Sequence, residues 1–265
     1  MARNMKNILN LIDSVTEELP VEQCFLNDLE RAIELEDASS DYVPSRTYKP
    51  SGMRCMRENY YIITGVEPEK EERNYTNIGI CNSGSDIHER IQTAVANMKK
   101  FDMDCEYVDV AEFVNLRHLD YLEVKGKQGV ETKMYHKNMN MSFLCDGIIK
   151  YKKKYYILEL KTETANKFWK RTGVDKGHYN QATAYSIALG IDNVLFVYIS
   201  RDMLEMKSFM LEVTDDMKNN LLSYIETCNQ YIADKKVPPA LDDKRKCGYC
   251  NYKKQCRKDN SDGAE

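Results

Sequence analysis

The stretch Asp146-Gly-Ile-Ile-Lys-Tyr-Lys-Lys-Lys-Tyr-Tyr-Ile-Leu-Glu159-Leu-Lys161 constrains the chain more than any other part of it. Met141 to Tyr151 and Lys154 to Thr162 are β-rich runs on either side of a lysine-rich connection, and they predict a hairpin. Side chains alternate along a strand, so Glu159 and Lys161 share a face with Ile157, while Leu158 and Leu160 point the other way. With the turn centred on Lys152 and Lys153, paired residue numbers sum to 305. Asp146 then stands opposite Glu159, with Cβ atoms roughly 5 Å apart. Two carboxylates that close repel unless a proton or cation lies between them. Oxygen donors around an open site suit Mg²⁺, and Lys161 on the same face would reach the same point. A one-residue slip would turn Asp146 to the other face and leave a surface hairpin with an ordinary Lys–Glu pair.

The flanking sequence sets this hairpin in an α/β frame. Helices are predicted from Met53 to Thr64, stopped by Gly65, and from Ser83 or Ser85 to Lys99. The second carries Ile87, His88, Ile91, Val95 and Met98 at helical spacing. Further helices are expected over 109–120, from Val174 to Leu189 before Gly190, and from Thr214 to Asp234. Strands are expected within 130–163 and at Val194–Ser200 and Lys207–Val213. The result is a mixed central sheet flanked by helices. A chain of 265 residues, 42% apolar and 30% charged, can bury such a core and is not disordered throughout. The same balance argues against a membrane-embedded body, and no apolar run approaches 18 residues.

Charge is distributed unevenly. Ten acids face the single base Arg31 between Leu11 and Tyr42, so that segment carries −9 of a total of −4 and the remainder carries +5. Ile8, Leu11, Ile12 and Val15, then Phe25, Leu29 and Ile33, read as two amphipathic helices around Pro20. A solvated acidic face is the plainer reading, and a DNA-mimicking or partner-docking face the sharper one. Between Lys150 and Lys176 there are nine bases and three acids, and between Lys244 and Lys258 seven bases and no acids. Both patches suit phosphate contacts. Trp169, Tyr179, Tyr249 and Tyr252 lie among them as candidate stacking residues, although packing is the plainer reading for Trp169.

Nine cysteines, an odd number without a signal peptide, point to a reducing cytoplasm rather than a disulfide framework. Cys247, Cys250 and Cys256 form a C-x₂-C-x₅-C cluster, one thiolate short of a tetrahedral site. The other cysteines outside this cluster, Cys55 apart, are Cys24, Cys81, Cys105, Cys145 and Cys228, and these read as small buried hydrophobes. The chain is therefore divided into an acidic helical segment at 1–50, a core at 51–240 and a cysteine-rich end at 241–265.

Asp146, followed by Glu159-Leu160-Lys161 closing an apolar strand, resembles the core motif of the PD-(D/E)XK nuclease superfamily, with Cys145 in place of the usual proline. Gln181-Ala-Thr-Ala-Tyr185 resembles the QxxxY motif of its RecB-like branch, and Gly84-Ser-Asp-Ile-His88 resembles that branch's helical histidine. Glu131 matches an acidic residue that some members carry before the aspartate. The resemblance runs from about Ser51 to Cys256. It implies a restriction-endonuclease-like core in which His88, Asp146, Glu159 and the Leu160 carbonyl hold Mg²⁺ or Mn²⁺. Lys161 would assist the attacking water, and Gln181 and Tyr185 would contact DNA or the lysine and position the substrate. Without the resemblance, His88 on an apolar helix face reads as a satisfied core histidine.

The cysteine pattern is similar to the iron–sulfur staple of the AddB nuclease and of CRISPR-associated RecB-like exonucleases. That similarity implies a 4Fe–4S cluster on Cys55, Cys247, Cys250 and Cys256, with zinc as the chemical alternative. The implied activity is phosphodiester hydrolysis in DNA, mainly by exonucleases at single-stranded ends. Recombination, repair, degradation and CRISPR spacer processing are the processes such enzymes serve, and compact members occur in bacteriophages. Two other readings stay open: a non-catalytic DNA-binding protein or one that docks a partner through the acidic N-terminal helices, and a structure-selective endonuclease.

Overall fold

The computed structural model describes residues 19–39, 45–69, 73–128, 131–243, 247–248 and 250–261. In chain order the helices and strands begin with α1 (Val21–Ala38), α2 (Met56–Thr64), α3 (Tyr75–Asn97), β1 (Cys105–Tyr107) and α4 (Val110–Leu116). They continue with β2 (Leu122–Gln128), β3 (Glu131–His136), β4 (Met141–Cys145), β5 (Gly147–Tyr151) and β6 (Lys154–Glu163). After these come α5 (Ala165–Trp169), α6 (Tyr179–Leu189), β7 (Asn193–Ser200), β8 (Met206–Glu212), α7 (Asp215–Ala233) and α8 (Lys253–Ser261). Among the described residues no helix is long and apolar enough to cross a membrane.

The chain divides into two compact units, Met1–Tyr42 with Glu72–Cys81, and Val43–Glu71 with Asn82–Glu265. The smaller unit contains α1, which starts after Pro20 as predicted; the expected helix over Ile8–Val15 lies outside the described residues. Asp37 near the end of α1 pairs with Arg73, and Glu34 accepts from the Tyr75 N–H. The predicted apolar stripe of α1 is not buried: Phe25 is 67% exposed, and the helix buries no residue.

The larger unit is α/β. Its mixed sheet has the order β1-β5-β6-β7-β8, in which the β6–β7 pair is parallel and the others antiparallel. Leu158, Leu160 and Ile149 meet Ile87 of α3 on one face. Ile148, Ile157 and Phe196 meet α6 on the other, where Ala182, Ala184 and Ala188 let the helix approach closely. Helix α6 is buried nearly all round, which is why its sequence shows almost no amphipathic stripe.

A separate antiparallel sheet has the order β2-β3-β4. The run 141–151, apolar almost throughout, was expected as a single strand but is two: β4 belongs to the small sheet and β5 to the large one, with Asp146 at the switch. The predicted hairpin register holds. Gly147 faces Leu158 and Tyr151 faces Lys154, around a turn with left-handed Lys152 and Lys153 (φ 47° and 67°). Both residues of such a turn need positive φ, a conformation usually left to Gly or Asn. Helix α3 begins about ten residues before the predicted start.

Candidate active site

Two hairpins converge on Asp146. In the β3–β4 ladder Thr132 faces Cys145, so one further step sets Glu131 against Asp146. In the β5–β6 ladder Gly147 faces Leu158, so one further step sets Glu159 against the same residue. Gly147 is required here, because a Cβ at that position would lie 2.1 Å from the Tyr107 ring. That ring's hydroxyl donates to the Asp146 carbonyl at 3.3 Å. Helix α3 passes close to β6, where a Cβ on Gly84 would sit 3.3 Å from Thr162 Oγ1. One turn further along α3, His88 Nδ1 lies 3.6 Å from Asp146 Oδ1.

His88, Glu131 and Asp146 thus form a group whose ligand atoms lie within 4.8 Å of one another. Burial lowers the proton affinity of the His88 ring, but its bond to Asp146 and the charges of Asp146 and Glu159 outweigh burial and hold it above its ordinary value. Burial, reinforced by Asp146, pushes Glu131 up despite its bond from Gln92. Gln92 lies four residues after His88 on α3, and its amide donates to Glu131 Oε1 at 3.1 Å and to the Asp146 carbonyl at 3.4 Å. Sequence reasoning passed over Gln92, although the i, i+4 spacing from His88 is visible in the chain.

Glu159 is 3% exposed. Its Oε1 accepts from Lys161 Nζ at 2.5 Å and from Gln181 Nε2 at 2.7 Å, while its buried Oε2 has no hydrogen-bond partner. Burial and the Asp146 charge push its carboxyl well above the usual carboxylate range, against the opposing pull of Lys161. A buried acceptor without a donor costs about 1–3 kcal/mol, and more when charged. Leu160 touches the site through its N–H, which donates to Asp146 Oδ2 at 2.7 Å.

Gln181 and Tyr185 do lie on one face of α6, but that face is turned inward. Gln181 Oε1 accepts from Lys161 Nζ at 3.0 Å, and its amide nitrogen also donates to Tyr185 Oη at 2.9 Å. The tyrosine hydroxyl in turn donates to the Leu144 carbonyl at 2.9 Å. Tyr185 is 3% exposed, and its hydroxyl meets Gln181, which in turn meets Lys161 and Glu159.

Farther along β6, Glu163 accepts a two-pronged ion pair from Arg171 at 2.7 and 2.6 Å, with both side chains buried. The stacking candidates differ, and the plainer packing reading of Trp169 is the one corrected. Tyr252 is buried against Tyr61, ring centroids 5.5 Å apart, whereas Trp169 is exposed and its neighbour Phe168 is the packed residue. Tyr179 is partly buried, and Tyr249 lies outside the described residues, as do Lys244, Arg245 and Lys246 of the second basic patch.

At the cysteine-rich end, Arg57 of α2 donates to the carbonyls of Pro238 (2.6 Å) and Cys256 (3.2 Å), to Cys256 Sγ (3.5 Å) and to Asn260 (2.7 Å). Cys250 and Cys256 pack against the cluster of Tyr60, Tyr61 and Tyr252, and Cys55 stands just before α2, but among the described residues no three of the four thiols have their sulfurs within 4.8 Å of one another. Burial pushes Cys250 up to about 11. Of the five cysteines expected to be buried, Cys105, Cys145 and Cys228 are, but Cys24 and Cys81 are exposed on helices.

No family model and no curated protein matches the chain. Among solved structures, that of SSO0001 is similar over 88% of this chain and 96% of its own, at 15% identity and a TM-score of 0.46. An alkaline exonuclease from Laribacter hongkongensis is similar over 72% and 90%, at 10% identity and a TM-score of 0.45. The same exonuclease in complex with dAMP gives 11% identity over 72% and 89%, with a TM-score of 0.36. At these values none of the likenesses bears on chemistry, which rests on the side chains themselves.

Proposed function

We propose that the chain is a divalent-metal-dependent DNA nuclease of the PD-(D/E)XK kind, RecB-like, acting on single-stranded ends. The observation that carries this reading is the buried, partnerless Oε2 of Glu159 beside the His88–Glu131–Asp146 group. A carboxylate oxygen kept from water and from every donor is stabilised by a cation. The donor set of one imidazole and three carboxylates fits Mg²⁺ or Mn²⁺, the harder choice among divalent metals. His88, Glu131, Asp146 and Glu159 would hold the ion. When bound, it supplies charge neutralisation at a phosphate and a more acidic water. Lys161, 23% exposed at its side chain and clamped between Glu159 and Gln181, would orient that water and offset charge on the phosphorane. Leu160 fixes the Asp146 carboxylate through its N–H, and the ligand carbonyl implied by the resemblance belongs to the same residue.

The four-iron cluster on Cys55, Cys247, Cys250 and Cys256 is the second part of the proposal. It is supported by Arg57, two residues after Cys55, which donates to Cys256 Sγ at 3.5 Å. Protein purified without oxygen is expected to be coloured. A colourless protein with stoichiometric zinc would replace the cluster by a zinc site.

Activity is tested with end-labelled single- and double-stranded DNA in Mn²⁺. Wild type is expected to shorten single strands from an end, and Glu159→Ala and Lys161→Ala to lower the rate at least about 100-fold. Cleavage undiminished in Glu159→Ala, or none by wild type on any substrate, would overturn the proposal.

A further inference from the structure

Beyond the reacting centre, and resting on the nuclease reading, the segment after β6 has the build of a substrate platform. Helix α5 is secured at both ends. The Ala165 N–H donates to Asp202 at 2.6 Å, and Lys207 Nζ donates to the carbonyls of Phe168 at 2.8 Å, Arg171 at 3.3 Å and Trp169 at 3.4 Å. Phe168 is 1% exposed, and the Arg171 guanidinium is fixed by Glu163 and lies 3.9 Å from the Tyr198 ring centroid.

Trp169, the one tryptophan of the chain, points outward and is 58% exposed. Its ring stands edge-on to Phe168 at 5.7 Å, with Lys207 Nζ 5.8 Å from its centroid. Exposed Lys170 adjoins it in the chain, and Lys167, whose Nζ lies 3.1 Å from Asp175 Oδ2, lines a shallow open cleft with Lys170 and Arg171. Leaving most of an indole in water forgoes apolar burial and keeps the ring face open to a partner. Two residues of strand, Thr164 and four residues of helix separate it from Lys161, which puts it within about 18 Å of that residue.

We infer that Trp169 is a stacking platform for an unpaired nucleotide base, with Lys167 and Lys170 taking phosphates of the same strand. Every base has a π-face, so the platform accepts any sequence. A duplex keeps its bases stacked on one another and offers the indole only an end. The site therefore selects single strands by geometry and not by hydrogen-bond readout.

Because Trp169 is the sole tryptophan, its emission reports the contact directly. The full-length protein is titrated in EDTA with a thymidylate dodecamer, a blunt duplex and inorganic polyphosphate, and labelled DNA is followed by anisotropy in parallel. The single strand is expected to quench the emission saturably and polyphosphate to leave it unchanged. Trp169→Ala is expected to weaken single-strand binding about 5- to 100-fold, Trp169→Phe to recover most of that loss, and neither to alter duplex affinity. The exposed position allows both variants to fold, which circular dichroism checks. If wild type binds and cleaves single strands while Trp169→Ala binds equally well, or if polyphosphate quenches as strongly as the oligonucleotide, the platform is wrong and the nuclease reading stands. If wild type neither binds nor cleaves DNA, both fall.

Discussion

Glu159 and Glu163 sit four residues apart on the same face of β6, and both are almost fully buried. Glu163 has both oxygens taken by one guanidinium. Glu159 has one oxygen shared between Lys161 and Gln181, and the other has no partner. Burial does not separate them; satisfaction does. A buried acid that the fold has paired on both oxygens is a structural brace, holding the α5 segment to the end of β6. A buried acid left with an open oxygen, next to two more carboxylates and an imidazole, holds free energy in reserve for a ligand.

Breaking the brace should have the larger effect on stability. Arg171→Ala leaves Glu163 buried and uncompensated and is expected to cost about 3–5 kcal/mol in urea denaturation, with the platform segment loosened. A loss under about 1 kcal/mol would mean that the two acids are not different in kind.

Glu159→Gln should do the reverse in metal-free protein. The Glu159 carboxyl is raised in the folded state, so its contribution is present at pH below the ordinary carboxylate range and fades as pH rises above it. In EDTA, wild type should therefore lose melting temperature relative to Glu159→Gln between pH 5 and pH 8. Parallel curves for the two proteins would contradict this.

Smaller again is Tyr185→Phe, which removes one hydrogen bond to the Leu144 carbonyl and one from Gln181. A stability loss of about 0.5–1.5 kcal/mol is expected. Affinity for DNA should be unchanged, with the effect on cleavage confined to kcat; a change in DNA affinity alone would return Tyr185 to the substrate.

The contrast between the two glutamates was half legible in the sequence. Alternation and the Lys152–Lys153 turn place Glu159 across from Asp146, because hairpin register is a local property. The change of sheet at Asp146 was hidden, since 141–151 is apolar on both sides of it and nothing local marks where one ladder ends. Glu131 occupies the matching position of the other ladder, a pairing that no local pattern reveals.

Phe168 and Trp169 are adjacent on a helix, about 100° apart, so one faces in and the other out, and composition cannot say which. The first ten residues of α3 contain Gly79, Asn82, Ser83 and Gly84, whose weak helix propensity is overridden by tertiary context. In the QxxxY pair the spacing was visible but not the direction: the i, i+4 face could equally have met DNA, and only the burial of α6 turns it to Lys161.

The central claim is that the open Glu159 oxygen marks a cation site. Calorimetric titration of the EDTA-stripped protein with Mn²⁺ at neutral pH, in two buffers of different ionisation enthalpy, tests it most directly. Saturable binding with proton release is expected, because cation binding displaces protons from groups whose proton affinity the site raises, and Glu159→Gln should weaken binding at least about tenfold. Unchanged affinity and proton release in Glu159→Gln, or no binding by wild type, would contradict it.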